Sequence, residues 1–257
     1  MRNVLLKIQY DGSAFHGFQV QKDDVTVQQT LQDALVTLFG QPVTVTGCSR
    51  TDSGVHALCY VAKVTFNGNI AVEKIPYALA TVLPKQLSVI DAAECDEDFH
   101  PRYDVVSKTY VYRIYVGKHN NPFESGYSWH CKFPIDVDKM KKAAVCFVGK
   151  HDFKGFMASG SSVLDTVRTV SDCSVKQNGD VLEMSITADG FLYNMVRIIA
   201  GTLAEIGAGR ISENDLPDII SSGIREKAGM TAPAHGLFLA RVDYGKDVFS
   251  KNEKEDL

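Results

Sequence analysis

The chain has 257 residues, of which 45% are hydrophobic and 23% charged. That balance belongs to a globular protein long enough for one large domain or two fused smaller ones. No apolar run reaches membrane-spanning length, and Lys7 interrupts the apolar start too early for a signal peptide, so the expected location is the cytoplasm. The net charge of −4 weighs mildly against a nucleic-acid partner, although charge distribution matters more than its sum. Acids gather at Asp91, Glu94, Asp96, Glu97 and Asp98. Bases gather at Arg102, Lys108, Arg113 and Lys118, and again from Lys139 to Lys154. A basic groove on an acidic protein and a solvated helix face explain the second cluster equally well. None of the six cysteines has the two-residue gap of a zinc or redox pair, which fits buried free thiols in a reducing compartment.

Taken in chain order, Val4 to Tyr10 reads as a strand and Asp11-Gly12-Ser13 as a turn. Thr26-Val27-Gln28-Gln29 has the form of a capping box. The helix it opens should bury Val27, Leu31, Leu35 and Leu38 and stop at Gly40. Strands follow at Val43 to Cys48 and Ala57 to Phe66, then a helix at Val72 to Leu83 and a strand at Leu87 to Ala93. The order is β-α-β-β-α-β, a split βαβ unit.

The second half is expected to repeat it. Ser107 to Val116 alternates as a strand. A long loop, Gly117 to Pro134, carries the only tryptophan, Trp129. A helix runs from Asp136 or Asp138 to Val148. Thr166 to Gln177 and Val181 to Ala188 pair around Asn178-Gly179, a hairpin signal. An apolar helix spans Phe191 to Ile206, and Leu237 to Tyr244 forms a last strand. The predicted fold is α+β: two pseudo-repeated β-α-β-β-α-β halves, ferredoxin- or RRM-like, with antiparallel sheets flanking a central cleft. The expected boundaries are 1–104, 105–245 and a charged, disordered tail at 246–257.

Between the second and third strands lies Ser49-Arg50-Thr51-Asp52-Ser53-Gly54-Val55-His56-Ala57. Two residues would suffice to turn that corner. A charged insert there is where a rigid scaffold presents chemistry, yet on spacing alone it is equally a surface turn with Asp and Gly in their usual roles. Cys48, His56 and Cys59 lie near one another but lack metal-ligand spacing. Arg50 precedes Asp52 by two residues and points the same way if the loop is extended. Arg197 sits among Met195, Val196, Ile198 and Ile199, where an unpaired charge is costly.

Five blocks in order then resemble one family. They are Asp11 to Gln21, Ser49 to Ala57, Phe99-His100-Pro101-Arg102-Tyr103 with Lys108 to Tyr112, Gly190 to Arg197 with Gly201-Thr202-Leu203, and Thr231 to Leu237. Over nearly the whole chain the sequence is similar to the tRNA pseudouridine synthase A family, which isomerises uridines in the anticodon arm (positions 38–40). Ser49 and Ser53 stand where the family usually has Gly and Ala.

The resemblance implies that Asp52 is the catalytic nucleophile or base. It implies that Arg50 fills the place of the flipped base and contacts tRNA, that Tyr110 stacks on the base, and that Arg197 pairs with the aspartate. It gives Phe99, His100, Pro101, Arg102 and Tyr103 to RNA binding, and implies tRNA and a second copy of the chain as partners. The isomerisation has no need of a cofactor or metal. Two other readings compete: a non-catalytic RNA binder made of two RRM-like halves, and a small-molecule carbohydrate enzyme. The first has no use for a carboxylate facing RNA. The second usually needs two acids, and no second candidate stands out.

Overall fold

The computed structural model describes residues 1–161 and 163–249. These hold ten strands and five α-helices in a mixed α/β architecture. The chain divides into two compact units, Met1–Val106 with Ala240–Leu257, and Ser107–Leu239. Among the described residues no helix is long and apolar enough to cross a membrane.

In the first unit the elements run β1 (Arg2–Tyr10), α1 (Val27–Phe39), β2 (Thr44–Gly47), β3 (His56–Phe66), α2 (Ile75–Leu79) and β4 (Leu87–Glu94). β1 pairs antiparallel with β3 on one side and β4 on the other, and β2 pairs with β3. Val4, Leu6 and Ile8 stand opposite Val64, Ala62 and Tyr60. All six are buried, as strand alternation requires of one covered face.

Thr26 caps α1, its Oγ1 accepting from the Gln29 amide at 3.3 Å. The Gln29 side chain goes forward to Asp33 instead of back to the cap, so only half of the capping box forms. α1 ends at Gly40, in the left-handed region. Ala34 joins Val27, Leu31 and Leu35 in the core, while Leu38 is only half-buried. The expected helix from Val72 to Leu83 shrinks to a 3-10 turn and the five residues of α2. Beyond it the Thr81 hydroxyl bonds back to the Ala78 carbonyl, an alternative to helical pairing.

The second unit contains β5 (Ser107–Tyr115), β6 (Trp129–His130), α3 (Val137–Ala144), β7 (Gly149–Asp152), β8 (Val167–Asn178), β9 (Val181–Ala188), α4 (Met195–Gly207) and α5 (Leu216–Ser222). The final strand, β10 (Leu237–Asp243), begins in this unit and ends in the first. The ladder runs β5-β9-β8-β7. β6 joins β5 in parallel, a departure from wholly antiparallel pairing. With β6, β7 and α5 added, the element order is longer than the predicted repeat. The β8–β9 hairpin pairs Asn178 with Val181, so its turn residues are Gly179-Asp180, one position later than expected.

α4 starts at Met195, four residues later than predicted, because Asn194 takes the left-handed conformation (φ 59°) and ends any helical run before it. The helix is apolar nearly all round, which marks a core element, and it lies beside α3 and β5. Of the expected tail, Lys246 to Phe249 are described, with Lys7 Nζ 5.9 Å from the Phe249 ring; residues 250–257 lie outside the described residues.

Candidate active site

Asp52 lies in the loop between β2 and β3 and is half-buried. Its carbonyl accepts from the Val55 amide at 3.1 Å, closing a four-residue turn. Gly54 occupies the third place with φ 79°, a conformation that turns of this kind reserve for glycine. Arg50, in the same loop, is exposed.

A second segment holds this loop from behind. The Tyr10 hydroxyl lies 2.8 Å from Thr51 Oγ1 in a buried contact. The Phe18 amide donates to the Thr51 carbonyl at 3.2 Å, and the Gly54 amide to the Phe15 carbonyl at 3.4 Å. The Gly12 amide donates to Nδ1 of the buried His56 at 3.0 Å, and Asp11 Oδ1 lies 3.2 Å from the same nitrogen. Asp11 to Gln21 and Ser49 to Ala57, separate blocks in sequence, are thus one structural unit built around Thr51 and Asp52.

The two serines that depart from the family pattern fit into it. The Ser49 carbonyl accepts from the Tyr60 hydroxyl, a bond independent of its side chain. Ser53 Oγ reaches the Phe15 carbonyl at 3.5 Å, a contact alanine could not make.

The segment Phe99 to Tyr103 divides by exposure. Phe99 packs against Tyr244 at 5.1 Å, and the Pro101 carbonyl accepts from the Tyr244 hydroxyl at 2.8 Å. His100 Nδ1 accepts from the Arg102 and Tyr103 amides at 3.1 and 3.3 Å, so its acceptor nitrogen shapes the turn. Arg102 and Tyr103 face outward, Tyr103 at 75% exposure, and the Arg102 guanidinium carbon stands 5.9 Å from the Tyr103 ring. Lys63 Nζ donates to the Glu97 and Phe99 carbonyls, anchoring the preceding acidic stretch through its backbone.

The remaining predicted residues belong to the second unit. Tyr110 sits on β5 opposite Ile186 and meets Phe191 edge-on at 5.0 Å. Tyr112 shares its face but is fully buried, with its hydroxyl donating to the Pro233 carbonyl at 2.7 Å. Burial pushes the Tyr112 hydroxyl pKa well above its ordinary value, which leaves it a fixed neutral donor.

Arg197 occupies the first turn of α4, not its interior. A helix N-terminus is unfavourable for a cation, and acceptors surround this one. Its Nε donates to the Ala232 carbonyl and one terminal nitrogen to Asn194 Oδ1, both at 2.7 Å. Nearby His235 has its pKa lowered chiefly by burial; a hydrogen bond to the Ser128 backbone opposes this, and the Arg197 charge lowers it further.

Asp52 and Arg50 therefore share one loop of the first unit, Phe99 to Tyr103 form another, and Tyr110 and Arg197 lie in the second unit. Residue patterns alone did not reveal the supports: Tyr10 and Thr51 behind the aspartate, and Asn194 and Ala232 around the arginine. The clue to Asn194 was an asparagine before an apolar helix, which reads equally as an ordinary cap.

Apart from Lys108 to Tyr112, the five ordered blocks lie within the segments through which the chain is similar to a class of RNA-modifying enzymes. A family model described as tRNA pseudouridine synthase matches residues 7–104 and 143–245. Three curated relatives named tRNA pseudouridine synthase A or A 2 match 95% of this chain and 100% of their own length. They come from Thermoanaerobacter sp. (strain X514) at 47% identity, Acetivibrio thermocellus at 44%, and Clostridium perfringens at 42%. The chain belongs to the tRNA pseudouridine synthase family. It is accordingly an isomerase that converts uridine to pseudouridine in tRNA.

Proposed function

We propose that the uridines isomerised lie in the anticodon stem-loop, at positions 38–40, and that Asp52 acts at the sugar C1′. In this reading the N1–C1′ bond breaks, the uracil turns, and C5 bonds to C1′. The proton lost from C5 is balanced by the one gained at N1, so the reaction is an isomerisation. A carboxylate can capture or stabilise an oxocarbenium-like carbon while the base turns.

The observation that carries this reading is the support of the Asp52 loop. Hydrogen bonds of Thr51 with Tyr10 and Phe18, and of Gly54 with Phe15, fix the chain on either side of the aspartate. A solvated surface turn needs no such buried backing, whereas a reacting group must be held to within a fraction of an ångström.

Arg50, exposed beside Asp52, takes the place of the uridine as it leaves the stack, a step costing a few kcal/mol. Tyr110 offers its ring to the extruded base, with stacking worth roughly 1–3 kcal/mol. Arg197 pairs with Asp52 and keeps it ionised. Arg102 and Tyr103, with Phe99, His100 and Pro101 shaping their turn, contact the tRNA. A homodimer presents a broader surface for the tRNA arm than one copy, and the setting is the cytoplasm, where six free cysteines are at home.

Unmodified tRNA transcripts carrying uridine or cytidine at positions 38–40 test the target. Pseudouridine confined to those positions, and lost with cytidine there, is the expected result. Pseudouridine elsewhere in the transcript would contradict it.

A further inference from the structure

Two sequence blocks remain without a role: Gly201-Thr202-Leu203 and the segment leading into Thr231-Ala232-Pro233. They meet within the second unit. Residues 228–233 form a strap along the first two turns of α4. The Gly229 amide donates to Thr202 Oγ1 at 2.9 Å, and the same hydroxyl donates to the Ile198 carbonyl at 2.7 Å. Thr202 is completely buried, and a buried hydroxyl on an apolar helix is costly unless partnered. At Gly201 any side chain would strike the Met230 carbonyl, which lies 1.9 Å from an ideal Cβ position. The helix surface is therefore cut to fit this strap.

The outer side of the strap is tied by Arg225. Its guanidinium donates to the Gly229 carbonyl at 2.9 Å, the Thr231 hydroxyl at 3.0 Å and the Ala228 carbonyl at 3.4 Å. The strap's far end grips Arg197 at two points. The Ala232 amide donates to the Arg197 carbonyl at 3.1 Å, and the Ala232 carbonyl accepts from Arg197 Nε at 2.7 Å. The next carbonyl, of Pro233, is held by Tyr112. A shift of the strap moves one of the acceptors that hold the Arg197 guanidinium.

We infer that Thr202 and Arg225 are positioning residues for the isomerisation: they clamp the strap 228–233, and the strap aims Arg197. This rests on the reading of Arg197 given above. Neither residue touches substrate. Their effect passes through the orientation of one side chain, to which rate is sensitive even when binding is not.

The test is a double-mutant cycle in turnover. Thr202→Val, Thr202→Ser and Arg225→Lys are made in the native chain, and Thr202→Val and Arg225→Lys again with Arg197→Lys. Each is assayed on unmodified tRNA with kcat and KM separated and folding checked by circular dichroism. In the native background Thr202→Val and Arg225→Lys are expected to lower kcat roughly tenfold with KM for tRNA within about twofold, while Thr202→Ser restores most of the rate. In the Arg197→Lys background the same changes are expected to have almost no further effect, since coupled residues are non-additive. Where Thr202→Val fails to fold, Arg225→Lys alone carries the cycle. Equal losses in both backgrounds, or losses confined to KM, would overturn the inference while leaving the role of Arg197 intact. If folded Arg197→Lys turns over at the native rate, both the role of Arg197 and this inference fall.

Discussion

The hydroxyl of Tyr10, at the end of β1, lies 2.8 Å from the hydroxyl of Thr51, the residue immediately before Asp52. This buried bond joins the first strand to the candidate catalytic loop across 41 positions of sequence. Tyr10→Phe removes it with little change of shape. The expected cost is about 1 kcal/mol of stability, that of one lost hydrogen bond, with a larger proportional loss in kcat than in tRNA binding. Chemical denaturation and steady-state kinetics on the same preparation check both. A Tyr10→Phe protein with native turnover would mean that this bond has no part in aligning the loop.

Gly17 presses against the same loop. Its φ is 87°, and an ideal Cβ there would stand 2.6 Å from the Thr51 carbonyl. Gly17→Ala therefore meets both an unfavourable conformation and a backbone clash. A destabilisation of about 1–3 kcal/mol is expected from the strained backbone alone, together with reduced turnover because relief of the clash displaces Thr51. Urea unfolding with a parallel activity assay decides; an unchanged midpoint would contradict the account.

For Tyr110 the ring and the hydroxyl separate by substitution. Tyr110→Phe keeps the aromatic face and its edge contact with Phe191, whereas Tyr110→Ala removes both. Single-turnover rates are expected to fall modestly in the first and by about 10²-fold in the second, the sum of lost stacking and loosened packing. Equal losses in the two variants would move the weight to the hydroxyl.

His235 gives the protein a specific acid sensitivity. Its pKa is lowered in the folded state by burial and by Arg197, so the unfolded chain binds this proton more readily. Stability is fully present above the ordinary histidine value near 6.5 and is lost as pH falls from there toward the lowered folded value. Melting temperatures between pH 7.5 and 5 should fall more steeply for the native chain than for His235→Gln. Parallel curves would show that this histidine makes no such contribution.

Much of the scaffold is legible in the residues because the signals are local. Thr26 and Gly40 mark both ends of α1, and apolar alternation gives β1, β3 and β9. Errors arise where a side chain finds a better partner than the local pattern provides. Gln29 chooses Asp33 over the cap, Thr81 bonds backward and shortens α2, and Asn194 adopts a left-handed backbone while its side chain receives Arg197.

The candidate site shows the same division. Asp52 and Arg50 stand out because charge in a strand-to-strand loop is visible in the sequence. Their support is not, since Tyr10 and Phe18 reach the loop through hydrogen bonds between distant positions, and Gly17 through close packing. The strap over α4 was hidden for the same reason, and Gly201 and Thr202 acquire meaning only once residues 228–233 are seen to lie against them.

In the proposed mechanism Asp52 performs the chemistry and is not needed for binding. The most direct measurement is pseudouridine formation in unmodified tRNA by the native chain and by Asp52→Asn, with tRNA affinity determined in parallel. Asp52→Asn is expected to bind tRNA within a few-fold of the native affinity and to form no detectable pseudouridine. Turnover by Asp52→Asn at a rate near native would contradict it.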